Sequence, residues 1–530
     1  MGKKSRGKLA RATAKPEAVA NATLPWTARE WQIVALLTAL TFAVFGQLAS
    51  HEFLNFDDGQ FIIENGHVLA GLSGDSIAWA LSSAQIGWYP LTWLSHMLDV
   101  ALWDQRAGMH LLTNALLHAA STALLFAALR LLTRATWPSA FVAALFAVHP
   151  MHVESVAWAS ERKDTLSTLF IMLALLFYAR DPRRKLGVAL AMAASLAAKQ
   201  MYVTFPAVLL LVDWWPLDRL RSIRELAQRA GEKLPLFILS LIGCVIAVVG
   251  QRNLNALQSS EVVAFGQRFA NAVVAYCRYL GKLFVPINMA LPYPYAPIGA
   301  GEAVAATLLL LAITAVCLTL RKRFPSLLMG WLWFAGVLVP VIGLVQIGAQ
   351  SIADRYTYFA YIGLFLAITF AALASPIPRK TLAIIGALAV VLYAAIAFRQ
   401  VRFWRNSETL FAHTVAVTRD NAQAEYLLGQ TLQMSDPDRA LPHLHRAIDI
   451  IGDAANRGTK PPDWYTQSFV GIGTAELMKA RALPLTLPER ERLIRDADAQ
   501  YRRALSIDPN AAHAKNNIAI AAQMLAIQQH

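Results

Sequence analysis

Eleven apolar segments dominate the first four hundred residues, at about 31–50, 109–132, 138–150, 165–179, 186–198, 201–215, 234–250, 303–320, 326–346, 357–375 and 380–398. Stretches this apolar, repeated this often, bury themselves only against one another and against lipid, so the chain reads as an all-α, polytopic membrane protein. The composition agrees: 56% of residues are hydrophobic and 15% charged. Several segments fall short of the roughly 20 residues a straight span needs, which points to tilted, paired or partly re-entrant helices.

The net charge of +14 raises the question of nucleic acid, but the Lys and Arg residues fall in short clusters between apolar runs, not in one patch. Clusters in that position are topology signals. They are Lys3, Lys4, Arg6, Lys8 and Arg11; Arg180, Arg183, Arg184 and Lys185; Arg219, Arg221 and Arg224; Arg321 to Arg323; and Arg379 with Lys380. Eleven spans with a cytoplasmic N-terminus place all of them on one side of an inner (cell) membrane and the C-terminus on the other. A twelfth span at Arg268 to Val285 would break that pattern, so this stretch reads as an amphipathic helix on the outer surface. Residues 1–25 read as a basic cytoplasmic tail, and 26–403 as the membrane domain. Cys244, Cys277 and Cys317 sit in apolar stretches without metal-ligand spacing and read as buried packing residues.

Composition changes near Arg402. From there charges alternate with Ala and Leu, and residues 404–530 read as paired amphipathic helices. In AQYRRALSIDPNAAHAKNNIAIA, Tyr501, Ala504 and Leu505 share a helix face, Pro509 falls in a turn and Ala514 to Ala522 begin the next helix; Ser407 to Leu432 and ALPHLHRAIDI repeat the theme. This pattern resembles tetratricopeptide repeats, three or four of which make an extracytoplasmic α-solenoid.

Six strings carry a wider resemblance: FDDGQFII, YPLTWLSHMLD, HLLTNALLHAASTALLF, SAFVAALFAVHPMHVESVAWASERKDTLSTLF, SIADRYTYFAYIGL and FWRNSETLFAHTV. They resemble the transmembrane and tetratricopeptide repeat-containing O-mannosyltransferases and their bacterial relatives, from Phe53 to the C-terminus and most specifically over Ser139 to Phe170. The resemblance implies a GT-C glycosyltransferase that takes a sugar from a polyprenyl phosphate-linked donor, outside the cytoplasm, with the repeats on the same side. Stacked helix pairs make a concave surface suited to extended polypeptide, and tethered directly after the last span they favour a protein Ser/Thr acceptor engaged by the repeats. A transferase or ligase acting on lipid-linked glycans or glycolipids, and a non-enzymatic membrane-anchored scaffold, are the alternative readings.

Such a reaction needs a carboxylate to take the acceptor proton and cations to hold the departing phosphate. By similarity to the GT-C pattern the base lies in the first outer loop, which makes Asp57 the first choice with Asp58 sharing or supporting the role; a helix cap or solvated turn before Gly59 is the structural alternative. The segment His149 to Asp164 offers Glu154 and Glu161, seven apart on one helix face, with Arg162 and Lys163 beside them and Asp164 following. Arg162 and Lys163 are phosphate candidates. His149, His152 and Glu154 lack a zinc-binding spacing, so no metal or other cofactor is expected. In SIADRYTY, Ser351 and Asp354 fit a capping box, whereas Arg355, beside Tyr356, is the strongest phosphate candidate, placed to pair with the lipid phosphate or with Asp57. Lys199 and Gln200 are expected to line the same cavity. His96 and His110 read as packing groups, and Trp88, Tyr89, Trp93 and Trp103 as an interfacial aromatic belt.

Overall fold

The computed structural model describes residues 25–83, 87–253, 265–345, 348, 350–456, 462 and 464–528, and every regular element among them is helical. The basic tail assigned to residues 1–25 lies almost wholly outside the described residues. Each of the eleven apolar segments falls on a helix. By length and apolar composition five helices among the described residues suffice to cross a membrane: Ala28–Ser50, Ala107–Thr133, Ala300–Leu320, Asp354–Leu373 and Arg379–Phe403. Two bent pairs, Thr136–Val148 with Pro150–Ala157 and Ile223–Glu232 with Leu234–Gly250, raise the number to seven if each is one span; Lys185–Ala198, Phe205–Trp214 and Pro325–Leu338 are shorter apolar helices.

Helix Ala107–Thr133 is the central pillar, packed against Ala28–Phe45, Thr136–Val148 and Arg162–Arg180. Gly108 lets the pillar approach the 3₁₀ turn Gly46–Ser50 that follows the first of these helices, since a Cβ there would lie 2.1 Å from the carbonyl oxygen of Ala49. Helices Ala300–Leu320 and Arg379–Phe403 bury few residues and expose rows such as Val304, Leu308, Leu311 and Ile384, Leu388, Val391, the pattern of helices facing lipid. Of the cysteines, Cys317 is buried as expected, whereas Cys244 is exposed on such an apolar helix.

The helix over Phe265–Phe284 forms as the pattern at 268–285 requires. Its buried face carries Asn271 and Tyr279, which hold the segment ahead of Asp354: Asn271 Nδ2 donates to the Ser351 carbonyl at 2.9 Å, and the Tyr279 hydroxyl bridges the amide and carbonyl of Ala353 at 3.1 Å each.

Six helices follow the membrane part: Ser407–Val417, Ala422–Leu432, Pro437–Asn456, Tyr465–Ala482, Pro488–Ile507 and Ala512–Gln528, each packed on its successor. Tyr501 and Ala504 are buried and Leu505 half-buried, on the face the sequence pattern assigns. The first pair is more than tethered to the membrane part. Leu410, Phe411, Tyr426, Leu427 and Leu428 share one core with the membrane helices, whereas Phe469, Ile494, Ala497, Tyr501 and Ala514 form a separate one.

Helices Pro325–Leu338 and Thr357–Leu373 meet at paired glycines. A Cβ on Gly330 would lie 2.0 Å from the Gly363 carbonyl oxygen, and one on Gly363 would lie 2.6 Å from that of Gly330, so the backbones touch. This crossing sets the height of Asp354-Arg355-Tyr356 at the start of the second helix. Gly363→Ala forces the helices apart and should cost about 1–3 kcal/mol, the usual range for overpacking; a thermal melt in detergent unchanged from the parent protein would refute the backbone contact.

Candidate functional site

The Asp57-Asp58 pair opens a π-helical turn, Gly59–Ile63, and its two carboxylates do different things. Asp58 is buried. One of its oxygens accepts from the Leu54 amide at 2.9 Å, the other from the Ser160 amide at 2.8 Å and from the Ser160 hydroxyl. It therefore ties the loop back on itself and across to Ser160, and is not the side-chain cap of the turn that follows. Burial raises its carboxyl to about 6, against the pull of those donors. Asp57 is half-buried, with no hydrogen bond or ion pair to its side chain among the described residues. Burial raises its carboxyl above the ordinary aspartate range, the nearby Lys163 opposing that shift. Of the pair, Asp57 is the one free to take a proton.

The second constellation is not the single helix expected from Pro150 onward. The chain runs through a 3₁₀ turn at Pro150–His152, a short helix at Val153–Ala157, an extended Trp158, a second 3₁₀ turn at Ala159–Glu161 and then helix Arg162–Arg180. A buried break strands carbonyl groups, and Asn114 from the central pillar satisfies two of them: its amide donates to Val156 O at 3.2 Å and Trp158 O at 2.9 Å. Glu154 and Glu161 are thus not aligned by helical spacing; the break converges them instead.

They converge on Arg355. Its guanidinium bonds Glu154 and lies 3.4 Å from Glu161, while its backbone amide donates to Glu154 at 3.1 Å. It pairs with these acids rather than with Asp57. Lys163 lies 3.3 Å and Lys199 2.9 Å from Glu161, and Lys199 also bonds Asp164 at 2.6 Å. Three cations from three parts of the chain therefore share one buried glutamate. Burial alone would raise the Glu161 carboxyl; Lys163, Lys199 and Arg355 together hold it well below the usual range.

The exposures show which way this cluster faces. The side chains of Glu154, Glu161 and Asp164 are 2%, 2% and 1% exposed, whereas those of Lys163, Arg355 and Lys199 are 10%, 13% and 16% exposed. The acids lie behind and the cations in front. Aromatic rings complete the mouth: Lys163 sits over Phe61 at 4.4 Å, and Arg355 over Tyr356 at 5.2 Å and Trp158 at 5.6 Å. Asp354 accepts from the Tyr293 hydroxyl at 2.8 Å. It makes no capping box with Ser351, whose amide donates instead to the Tyr293 carbonyl.

Arg162 is not brought into this mouth. It turns inward, fully buried, donating to Asn114, to Ser95 at 2.7 Å, to Asp99 at 2.6 Å and to the His110 carbonyl at 2.5 Å. Every guanidinium nitrogen is engaged, so the side chain moors the start of its helix and leaves phosphate to its neighbour Lys163. Gln200 likewise serves structure, donating to Trp88 O and Leu196 O, each at 2.7 Å. His149 and His152 bond the carbonyls of Leu283 and Phe146 and do not gather around Glu154. His96, Asp99 and His110 place three ligand-type atoms within 4.8 Å. Arg162 already neutralises that carboxylate, so a divalent ion there would add uncompensated buried charge.

Sequence reasoning missed Ser160, Asn114, Asp99 and Tyr293. Each is an ordinary polar residue whose role is visible only in its partner. Trp93 belongs to the core, 1% exposed, rather than to an interfacial belt.

The geometry predicts a division of labour between the acids. Asp58→Ala or Ser160→Ala should lower the melting temperature, because each strands buried partners at about 1–3 kcal/mol. Asp57→Asn should leave it within a degree or two of the parent. Equal destabilisation by Asp57→Asn and Asp58→Ala would contradict the assignment.

Comparison with known proteins adds a partial likeness. The chain is 33% identical over 179 residues to protein O-mannosyl-transferase Tmtc2 of Drosophila melanogaster, covering 30% of this chain and 19% of that protein. It is 32% identical over 152 residues to Tmtc1 of the same organism, covering 27% of this chain and 18% of the relative. It is 30% identical over 150 residues to human TMTC2, covering 26% and 18%. The chain thus spans about a fifth of the length of the curated relatives it matches. No protein-family model matches it. No solved structure matches it either. The chain is an all-helical protein with several membrane-length apolar helices, similar over part of its length to protein O-mannosyl-transferases.

Proposed function

We propose that this chain is a GT-C-type membrane glycosyltransferase that moves a sugar from a polyprenyl phosphate carrier to a Ser/Thr hydroxyl of an extracytoplasmic protein. One observation carries the reading: a half-buried carboxylate without a side-chain partner, Asp57, lies within electrostatic reach of Lys163, Arg355 and Lys199, a cation cluster held by buried acids. The partial likeness to protein O-mannosyl-transferases supports the same reaction class. The eleven-span arrangement, the cytoplasmic N-terminus, the periplasmic face of the cluster and the tetratricopeptide nature of the last six helices belong to this proposal.

In the reaction Asp57 accepts the proton of the acceptor hydroxyl as its oxygen bonds the anomeric carbon of the sugar. The bond from that carbon to the phosphate oxygen breaks, and the carrier leaves as its phosphate monoester. The negative charge developing on the phosphate is stabilised by Lys163, Arg355 and Lys199. Because Glu161 and Glu154 fix these cations before the donor arrives, little reorganisation accompanies bond breaking. No metal or other cofactor is needed in this scheme, since the cations play the electrostatic part.

Asp57→Asn should lower turnover about 100-fold or more, the usual worth of a general base, with folding unaffected. The pH profile checks the same point. A base works ionised, and burial raises Asp57, so the rate should fall on acidification through a value above the ordinary 3.8 of an aspartate, and this limb should vanish in the Asn variant. An unaltered rate and acid limb would remove Asp57 from the mechanism. Arg355→Ala should weaken carrier binding and transfer together, because a phosphate contact serves ground and transition states alike.

Helix Tyr465–Ala482 still places Ile472 and Ala475 in the membrane domain's core, whereas Pro488–Ile507 and Ala512–Gln528 pack only into the separate one, so these last two helices are the part removable without opening the membrane domain. A chain ending before Pro488 should keep carrier binding and lose transfer to protein by about tenfold or more, if the distal repeats concentrate the acceptor. Undiminished protein glycosylation would rule that role out.

A further inference from the structure

Beside Asp57 a cleft opens whose lining crosses the boundary between the membrane part and the C-terminal helices. Phe56, Glu154 and Arg355 form one side, Pro292 and Tyr293 another, and Gln423 of helix Ala422–Leu432 closes it. The closing wall is firmly fixed. Asn421 Nδ2 donates to Pro292 O at 2.9 Å; the Thr414 hydroxyl donates to Leu291 O and accepts from Leu291 N, both at 3.2 Å; and His413 Nε2 lies 3.1 Å from Met289 O. Side chains from the start of the C-terminal helices therefore clamp the backbone of the loop opposite at Met289, Leu291 and Pro292. At the other edge the Asn55 amide donates to the Ser407 hydroxyl at 2.7 Å, two residues before Asp57. The C-terminal helices are thus built into the same frame that positions the proposed base.

Within this wall the polar groups are spoken for, with one exception. Tyr293 bonds Asp354, Glu154 bonds Arg355, and Asn421 caps its own helix while holding Pro292. Gln423 is half-buried, lines the cleft, and its side chain makes no hydrogen bond among the described residues. A primary carboxamide offers two donors and an acceptor on one plane, complementary to the N–H and C=O of a peptide unit. A polar group held in a cleft without a partner gains most when a ligand supplies both bonds.

We infer that Gln423 is an acceptor-binding residue whose carboxamide pairs with a main-chain peptide unit flanking the acceptor hydroxyl, so that recognition of the polypeptide begins inside the catalytic cleft. This rests on the transferase reading above, and it places the first contact with acceptor on the proximal helix pair rather than on the distal repeats. Phe56, adjacent to Asp57 in the chain and lining the cleft, then lies between the anchored peptide unit and the base. A two-point grip of this kind fixes the acceptor oxygen relative to Asp57.

The test uses the full-length protein in lipid nanodiscs, polyprenyl phosphate-mannose as donor and a Ser/Thr-rich peptide as acceptor. Three quantities are read: donor cleavage with water in place of peptide, and kcat and KM for peptide. Gln423→Ala and the shape-matched Gln423→Glu should each raise the peptide KM about tenfold, the scale of a lost hydrogen-bonded pair, with donor cleavage, kcat and melting temperature unchanged. Unchanged KM in both variants of an active protein overturns the inference. So does a parallel loss of donor cleavage, which would make Gln423 a structural residue. A parent protein that neither cleaves donor nor modifies peptide would instead defeat the transferase reading beneath it.

Discussion

The buried carboxylate of Glu161 is the interaction on which the site depends. Three cations, Lys163 on the following helix, Lys199 at a helix end and Arg355 from nearly two hundred residues downstream, meet on its two oxygens. None of them would sit this close to the others without it, since like charges a few ångströms apart repel strongly in a poorly solvated setting. A buried anion without partners would be equally costly. Each side of the arrangement requires the other, and the result is a fixed set of cationic side chains that stay slightly exposed while their counterions are buried.

That hub is positioned by features that carry no charge to the mouth. The extended Trp158 interrupts what would otherwise be one helix, and the amide of Asn114 satisfies the carbonyls the interruption exposes. Arg162, one residue past Glu161, is drawn inward by Asp99, Ser95 and Asn114, so its helix enters the protein in one orientation. Ser160, one residue before, receives Asp58 from the first loop. Three consecutive residues thus face three ways: Ser160 to the acid loop, Glu161 to the cations, Arg162 to the core. The Gly330–Gly363 crossing then sets the depth at which Arg355 arrives.

The C-terminal helices enter the same construction. Their first pair shares the membrane domain's core and clamps the backbone at Met289 to Pro292, Tyr465–Ala482 still adds Ile472 and Ala475 to that core, and the last two helices pack only into a second one. A reading by composition places the junction at residue 403, where the apolar runs end. Packing places the change farther along, because burial follows which side chains meet rather than where hydropathy drops.

The residue pattern was enough to read an all-helical chain, a helix under each of the eleven apolar segments, the amphipathic helix near 268–285 and the helical pairs after Ser407, because these depend on local hydrophobic periodicity. It also singled out Asp57, Asp58, Glu154, Glu161, Lys163, Asp164, Lys199, Asp354 and Arg355, since acids and bases set among apolar segments demand partners. What it left open was pairing. That Asp58 is spent on Ser160 while Asp57 is free, that Arg162 faces away from the residue beside it, and that Arg355 meets Glu154 and Glu161 are settled by contacts between residues far apart in the chain. A side chain's charge is written in the sequence; the partner that neutralises it is chosen only when the helices pack, because electrostatic and hydrogen-bond energies depend on distances of a few ångströms that no local pattern specifies.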